Sequence, residues 1–169
     1  MISVVGLGNA ATKIAMKFEQ TKNYSVYVLN DSVERNSKYK FKLNSYETPE
    51  EYENKIPNVK KYFANIGERI QFFIVGSSYS SNYSLGILEQ LKDKKVDVFY
   101  IQPDAELMTG VPKMLDKIVF GILQEYARSG LLNSFTVLSN VLIEKSIGSV
   151  PIKAYYDMIN DSIFSTIHY

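Results

Sequence analysis

Four groups of residues in this sequence have the types and spacing for chemistry, and the chemistry is the holding of an anionic, ring-bearing ligand. The first is Gly6-Leu7-Gly8-Asn9-Ala10-Ala11. Glycine permits positive φ and lets a backbone approach a ligand closely, and a helix start just behind it offers free N–H groups to an anion. The G-x-G-x-x-G spacing is met only with Ala11 in the last place, and tight strand-to-helix turns also use glycine purely for packing. The second is Gly76 and the polar, hydroxyl-rich loop expected after it, Ser77-Ser78-Tyr79-Ser80-Ser81-Asn82. Serines at a helix start hold a phosphate in some proteins and are ordinary caps in others. The third is Asn30-Asp31, which has the reach for a ribose or a metal-bound water, or simply turns the chain. Asp31 lies about 20 residues past the glycines, near where a dinucleotide fold places its ribose-binding acid. The fourth is Tyr156 and Asn160, four apart and therefore on one helix face. Such a ring can stack on a base while the amide reads its edge; as a partly buried helix face the pair needs no ligand.

Other chemistries lack their residues. The chain has no cysteine and a single histidine, His168, so a thiolate site, a disulfide scaffold, a serine-type triad and a multi-histidine metal centre have no candidates. A net charge of +1 makes no electrostatic case for nucleic acid or a membrane surface. The start Met1-Ile2-Ser3 does not read as a signal peptide, no stretch reaches the roughly 20 apolar residues of a membrane span, and the cytoplasm is the expected location.

The elements that must position these groups follow from periodicity. Apolar runs predict strands at 2–5, 24–29, 70–75, 96–101 and 134–138, with a short one at 39–43. Helical spacing predicts helices over 10–20, 59–66, 85–91 and 112–129, the last stopped by Gly130. Thr48-Pro49 reads as an N-cap with proline at the first helical position, opening a short helix to residue 54. A short helix is expected over 141–146, and a last one from Pro151 onward. Strands alternating with helices predict an α/β, Rossmann-like, doubly wound and mainly parallel sheet with helices on both faces, in one domain spanning 1–169. In such sheets ligands sit at the carboxyl ends of the strands, where Gly6, Gly8, Asn9, Ala10, Asn30, Asp31, Gly76, the serines, Glu106 and Asn140 all fall.

Taken in order, these segments resemble the nucleotide-binding half of the tubulin/FtsZ family. Val4-Val5-Gly6-Leu7-Gly8-Asn9-Ala10-Ala11 resembles its first loop, and Tyr27-Val28-Leu29-Asn30-Asp31 its second. Phe72-Phe73-Ile74-Val75-Gly76 is similar to the strand entering the family's glycine-rich signature. Ile101-Gln102-Pro103 with Glu106 resembles the sugar-binding loop, one residue shorter. Thr136-Val137-Leu138-Ser139-Asn140 resembles the strand whose asparagine contacts base or sugar. Residues 154–161 resemble the start of the central helix, where the family places an aromatic on guanine and an asparagine four residues on; Tyr156 and Asn160 match that pair.

The resemblance implies a guanine (purine) nucleotide, GTP or GDP, with magnesium only as the nucleotide's companion. It also implies assembly with further copies or with a tubulin/FtsZ-like partner. Two departures qualify the implied activity. Where the family has glycines and threonines, this chain has Ser77, Ser78, Tyr79, Ser80, Ser81 and Asn82, and each lost glycine puts a side chain where backbone should meet phosphate. The family's catalytic loop follows the central helix, and this chain ends at Tyr169, within or just after the corresponding stretch. The expectation is therefore nucleotide binding with weak or no hydrolysis and no catalytic residue. The alternative is a pseudo-GTPase interaction module that has lost nucleotide binding.

Overall fold

Ile2–Leu7 (β1), Tyr24–Asn30 (β2), Arg69–Val75 (β4) and Lys95–Gln102 (β5) are apolar on both faces, the composition of parallel strands covered on two sides. With Lys40–Lys42 (β3) and Ser134–Ser139 (β6) they form one six-stranded sheet in the order β3-β2-β1-β4-β5-β6. Every pairing is parallel. The structure, a computed structural model, describes residues 2–76, 78–102, 110–139, 160–161, 163–165 and 167. The expected Rossmann-like α/β fold is present. Its strand order reverses between β1 and β4, the position at which such sheets open a ligand crevice.

The helices divide between the two faces. On one face α1 (Asn9–Ala15), continued by a 3-10 turn over Met16–Gln20, buries Ala11, Ile14, Ala15 and Phe18 against Val4, Val26, Val28, Phe73 and Ile101. Phe18 is fully buried, edge-on to Tyr24 at 4.9 Å and to Phe164 at 4.8 Å. On the other face lie α2 (Pro49–Asn54), α3 (Ser84–Glu89) and α4 (Gly110–Arg128). There Tyr52, Ile87, Leu88, Val119 and Leu123 meet Val5, Leu7, Leu29, Phe72, Ile74 and Val98. Full burial of each such side chain stabilises the fold by roughly 1.5–3 kcal/mol.

Local signals hold at several boundaries. Thr48 caps α2, its Oγ1 accepting from the Glu51 amide at 3.3 Å with Pro49 at the first helical position. Gly130 ends the segment after α4 with φ of 82°. Two expectations need correction. Residues 59–66 form turns, not a helix. Only the Phe63 amide reaches back four residues, to Val59; the next bonds are of the three-residue kind. The Val59 amide is taken by Gln90 Oε1 at 2.8 Å, and Gln90 Nε2 donates to the Pro57 carbonyl. Burial of Val59, Phe63 and Ile66 therefore satisfies the helical spacing without a helix. The serine-rich stretch is not an open loop but a 3-10 turn, Tyr79–Tyr83, running directly into α3. The helix expected over 141–146 and most of the last helix lie outside the described residues; residues 160, 161, 163–165 and 167 are helical.

Two glycine substitutions test this packing with opposite signs. A Cβ on Gly6 would lie 2.8 Å from the Ala11 carbonyl oxygen and 3.0 Å from Ala15 Cβ, so G6A should lower the unfolding free energy by roughly 1–3 kcal/mol. Gly121, in the middle of α4, faces open space among the described residues, so G121A should raise it by about 0.5–1 kcal/mol. Urea midpoints of the two variants check both.

Candidate functional site

The carboxyl ends of β1, β2 and β4 enclose a cavity of about 320 Å³. Its wall begins at the glycine turn. Gly8 has φ of 90°, a conformation that costs any residue with a Cβ, and its amide donates to the Leu29 carbonyl at 2.7 Å. Asn9 and Ala10 follow on the cavity wall. Asp31 enters from the end of β2, its Oδ2 accepting from Ser45 Oγ at 2.7 Å. Ser78, Tyr79 and Ser80 close the side beyond β4.

Asn30 does not face this cavity. It is 5% exposed, and its amide is committed: Nδ2 donates to Thr12 Oγ1 at 3.0 Å, and Oδ1 accepts from the Ser32 amide at 2.9 Å. Thr12 Oγ1 in turn donates to the Gly8 carbonyl at 2.7 Å. This relay ties the glycine turn, α1 and the end of β2 into one unit.

The polar groups after β4 turn inward. Ser78 Oγ donates to the Val75 carbonyl, Ser81 Oγ to the Ser78 carbonyl, Asn82 Nδ2 to the Tyr79 carbonyl and Ser84 Oγ to the Ser81 carbonyl. Ser81 and Asn82 are buried. Ser80 is placed differently: a Cβ on Gly8 would overlap its Oγ, so this hydroxyl occupies the ground beside the glycine where a ligand would come closest. Gly76 lies deeper. Its own absent Cβ would overlap the Tyr100 hydroxyl and the Asp116 carboxylate, which form a buried hydrogen bond between β5 and α4. Gly76 is thus the gap that admits this pair.

Of the other residues singled out in the sequence, Ser77, Glu106, Asn140 and Tyr156 lie outside the described residues. Asn160 is half-buried on the last helix, whose Ile163 and Phe164 pack beside Phe18 on the α1 face; it does not line the cavity. Sequence reasoning singled out Tyr79 only as an obstacle to phosphate and missed Tyr52 and Tyr83. Tyr52, Tyr79 and Tyr83 all line the cavity, with Tyr52 4.9 Å from Tyr83 and 5.9 Å from Tyr79 between ring centres. Tyr83 Oη donates to the Asn44 carbonyl at 2.7 Å, fixing the opposite wall. The available signal was the Thr48-Pro49 cap, which sets the phase of α2 and turns Tyr52 inward.

Among the described residues, Asp31 is the only charged one in the lining. Its bond to Ser45 joins a hydroxyl to a carboxylate, with no histidine or lysine of the lining beside it to carry a proton. No group of three or more acids, cysteines or histidines among the described residues could hold a metal. No helix among them is long and apolar enough to cross a membrane. The arrangement can bind a ring and an oxyanion; the described lining offers no acid–base relay.

Comparison with known proteins adds the fold. No family and no curated protein matches the chain. Among solved structures, a C-terminal deletion mutant of aldohexose dehydrogenase from Thermoplasma acidophilum is similar, with a TM-score of 0.51 and 16% identity over 98% of this chain and 79% of that one. At that identity the likeness is one of fold alone.

The Tyr100–Asp116 pair gives a pH dependence. Burial first, and then the Asp116 carboxylate, push the Tyr100 hydroxyl far above the ordinary tyrosine value of about 10. A group raised in the fold contributes stability that is complete below its unfolded pKa and is lost as pH climbs through the folded one. Above pH 10, stability should therefore fall by up to about 1.4 kcal/mol per pH unit from this group. Y100F should be less stable at neutral pH, because Asp116 loses its partner, and its stability should fall less steeply between pH 10 and 11. Urea unfolding at both pH values measures the two slopes.

Proposed function

We propose that this chain is a divergent nucleotide-binding domain of tubulin/FtsZ type that takes a purine nucleotide, GTP or GDP, in the glycine-turn cavity and hydrolyses it weakly or not at all. The supporting observation is that one cavity at the strand-order reversal gathers Gly8, Asn9 and Ala10, then Asp31, then Ser78 and Ser80. The first two groups come from separate segments that carry the resemblance, and the serines from the stretch that stands where the family has its glycine-rich signature. Backbone at the turn meets the phosphates, and the serine hydroxyls assist. With Asp31 as the only charge in the described lining, a polyphosphate arrives with its magnesium rather than being neutralised by a basic side chain. A lining whose one acid is held by Ser45 fits slow hydrolysis. Calorimetric titration with GTP, GDP, ATP and guanosine tests this. Binding of GTP and GDP above guanosine is expected; no heat with any of them at millimolar concentration removes the reading.

A second reading has its own observation. Ser78, Ser81, Asn82 and Ser84 spend their side chains on carbonyls of their own segment, and Ser80 covers Gly8. A site closed this way suits a pseudo-GTPase interaction module, in which the exposed Tyr79 contacts another copy or a tubulin/FtsZ-like partner. Sedimentation with and without nucleotide separates the two. Self-association indifferent to nucleotide favours the module, and a strict monomer that binds nucleotide tightly eliminates it.

A further inference from the structure

A second cavity, of about 470 Å³, opens at the end of β2 on the α1 face. It shares no lining residue with the glycine-turn cavity, so the two hollows are separate sites. Its apolar surface comes from Met16, Val28 and Val33, and most of its polar wall from the segment joining β2 to β3. That segment brings Arg35, and the start of β3 brings Lys40, against one acid, Glu34. Neither cation forms an ion pair among the described residues. Ser32 and Ser37 add hydroxyls beside them.

The backbone that carries these cations is tied down by hydrogen bonds. The Ser32 amide is tied to Asn30 Oδ1 at 2.9 Å, the Ser37 amide to the Lys40 carbonyl at 2.9 Å, and the Lys42 amide to Asn36 Oδ1 at 2.7 Å. The Tyr39 carbonyl accepts from the Val28 amide at 2.9 Å and from Tyr62 Oη at 2.6 Å. Five hydrogen bonds along the nine-residue connection and the start of β3 place Arg35 and Lys40 on the lining of the same concavity. Two cations against one acid, exposed at the rim of a partly apolar hollow, match an anion carried on a ring. The guanidinium takes oxyanions two at a time, and the ammonium adds a point charge.

We propose that this cavity binds a phosphate monoester of a sugar or nucleoside, with the ring on Met16 and Val28 and the phosphate between Arg35 and Lys40. The sources of that chemistry are a free sugar or nucleoside monophosphate, and a dinucleotide bearing an extra monoester phosphate. Calorimetry on the whole chain with matched pairs distinguishes them: AMP against adenosine, glucose 6-phosphate against glucose, and NADP against NAD, with inorganic phosphate alone as a further probe.

The expected result is that in at least one pair the phosphorylated member binds about tenfold or more tightly than its partner. In the double variant R35Q/K40Q that preference should vanish, while the variant's circular dichroism and melting stay those of the parent. Preference confined to NADP identifies the dinucleotide as the source, and preference within the other pairs identifies a free monophosphate. Three outcomes overturn the proposal: equal affinity within every pair, a preference that survives in R35Q/K40Q, or inorganic phosphate binding as tightly as every ester. As a control, S80F fills the glycine-turn cavity. It should leave the monoester preference intact while abolishing any GTP binding, so failure of one site is read separately from failure of the other.

Discussion

The carboxyl edge of the sheet depends on how closely α1 lies on β1. Gly6 has no Cβ, and the Ala11 carbonyl and Ala15 Cβ occupy the space a side chain would need. Ala11 and Ala15 are fully buried in that contact. Close approach puts Thr12 within reach of both the Gly8 carbonyl and Asn30. The glycine turn, the helix start and the end of β2 therefore hold their positions together. A larger residue at Gly6 would lift the helix and separate the groups that line both cavities.

The same edge shows how polar side chains are shared between folding and binding. A buried polar group that finds no partner costs about 1–3 kcal/mol, so chains seat such groups first. Asn30, Ser81, Asn82 and Ser84 are buried and seated on backbone or on Thr12. What remains facing solvent at the glycine turn is Asp31, the Ser80 hydroxyl, exposed Tyr79 and the turn's own backbone. The tyrosines add breadth. Tyr52 and Tyr83 stand edge-to-face, an arrangement worth roughly 0.5–1.5 kcal/mol beyond burial, and Tyr83 ties α3 to the wall at Asn44.

Charge is divided between the two hollows. Among the described residues, the glycine-turn cavity carries one acid, and the cavity at the end of β2 carries two bases and one acid. These charges are exposed, and a Coulomb interaction between two such groups in contact amounts to about 1 kcal/mol in water. An anion in the first hollow must bring its own cation; in the second the chain provides two. The edge strand β3, with Lys40 and Lys42 about Phe41, combines this charge with the protection that lysines give an exposed sheet edge.

The sequence alone determined the sheet. Apolar runs of strand length bounded by glycine, proline and asparagine, alternating with helical spacing, dictate β1, β2, β4, β5, α1 and α4 because burying those faces on both sides of a parallel sheet is the arrangement that hides them. The glycine at 8 was legible as a turn for a local reason, positive φ, whereas Gly6 proves to be a residue of β1 kept small by the packing of α1. What the residues at the strand ends do was not legible. Asn30, Ser81 and Asn82 have the composition of binding residues, and only the fold shows that Thr12 and nearby carbonyls already hold them. Residues 59–66 have helical spacing, and only Gln90, 31 residues beyond Val59, decides that they fold as turns. Arg35 and Lys40 read as ordinary surface charge until hydrogen bonds accepted by Asn30, Asn36 and the Tyr39 carbonyl place the backbone that carries both beside one hollow. Local propensity acts over a few residues, whereas partners for polar groups come from anywhere the chain returns, and that return is set by tertiary packing.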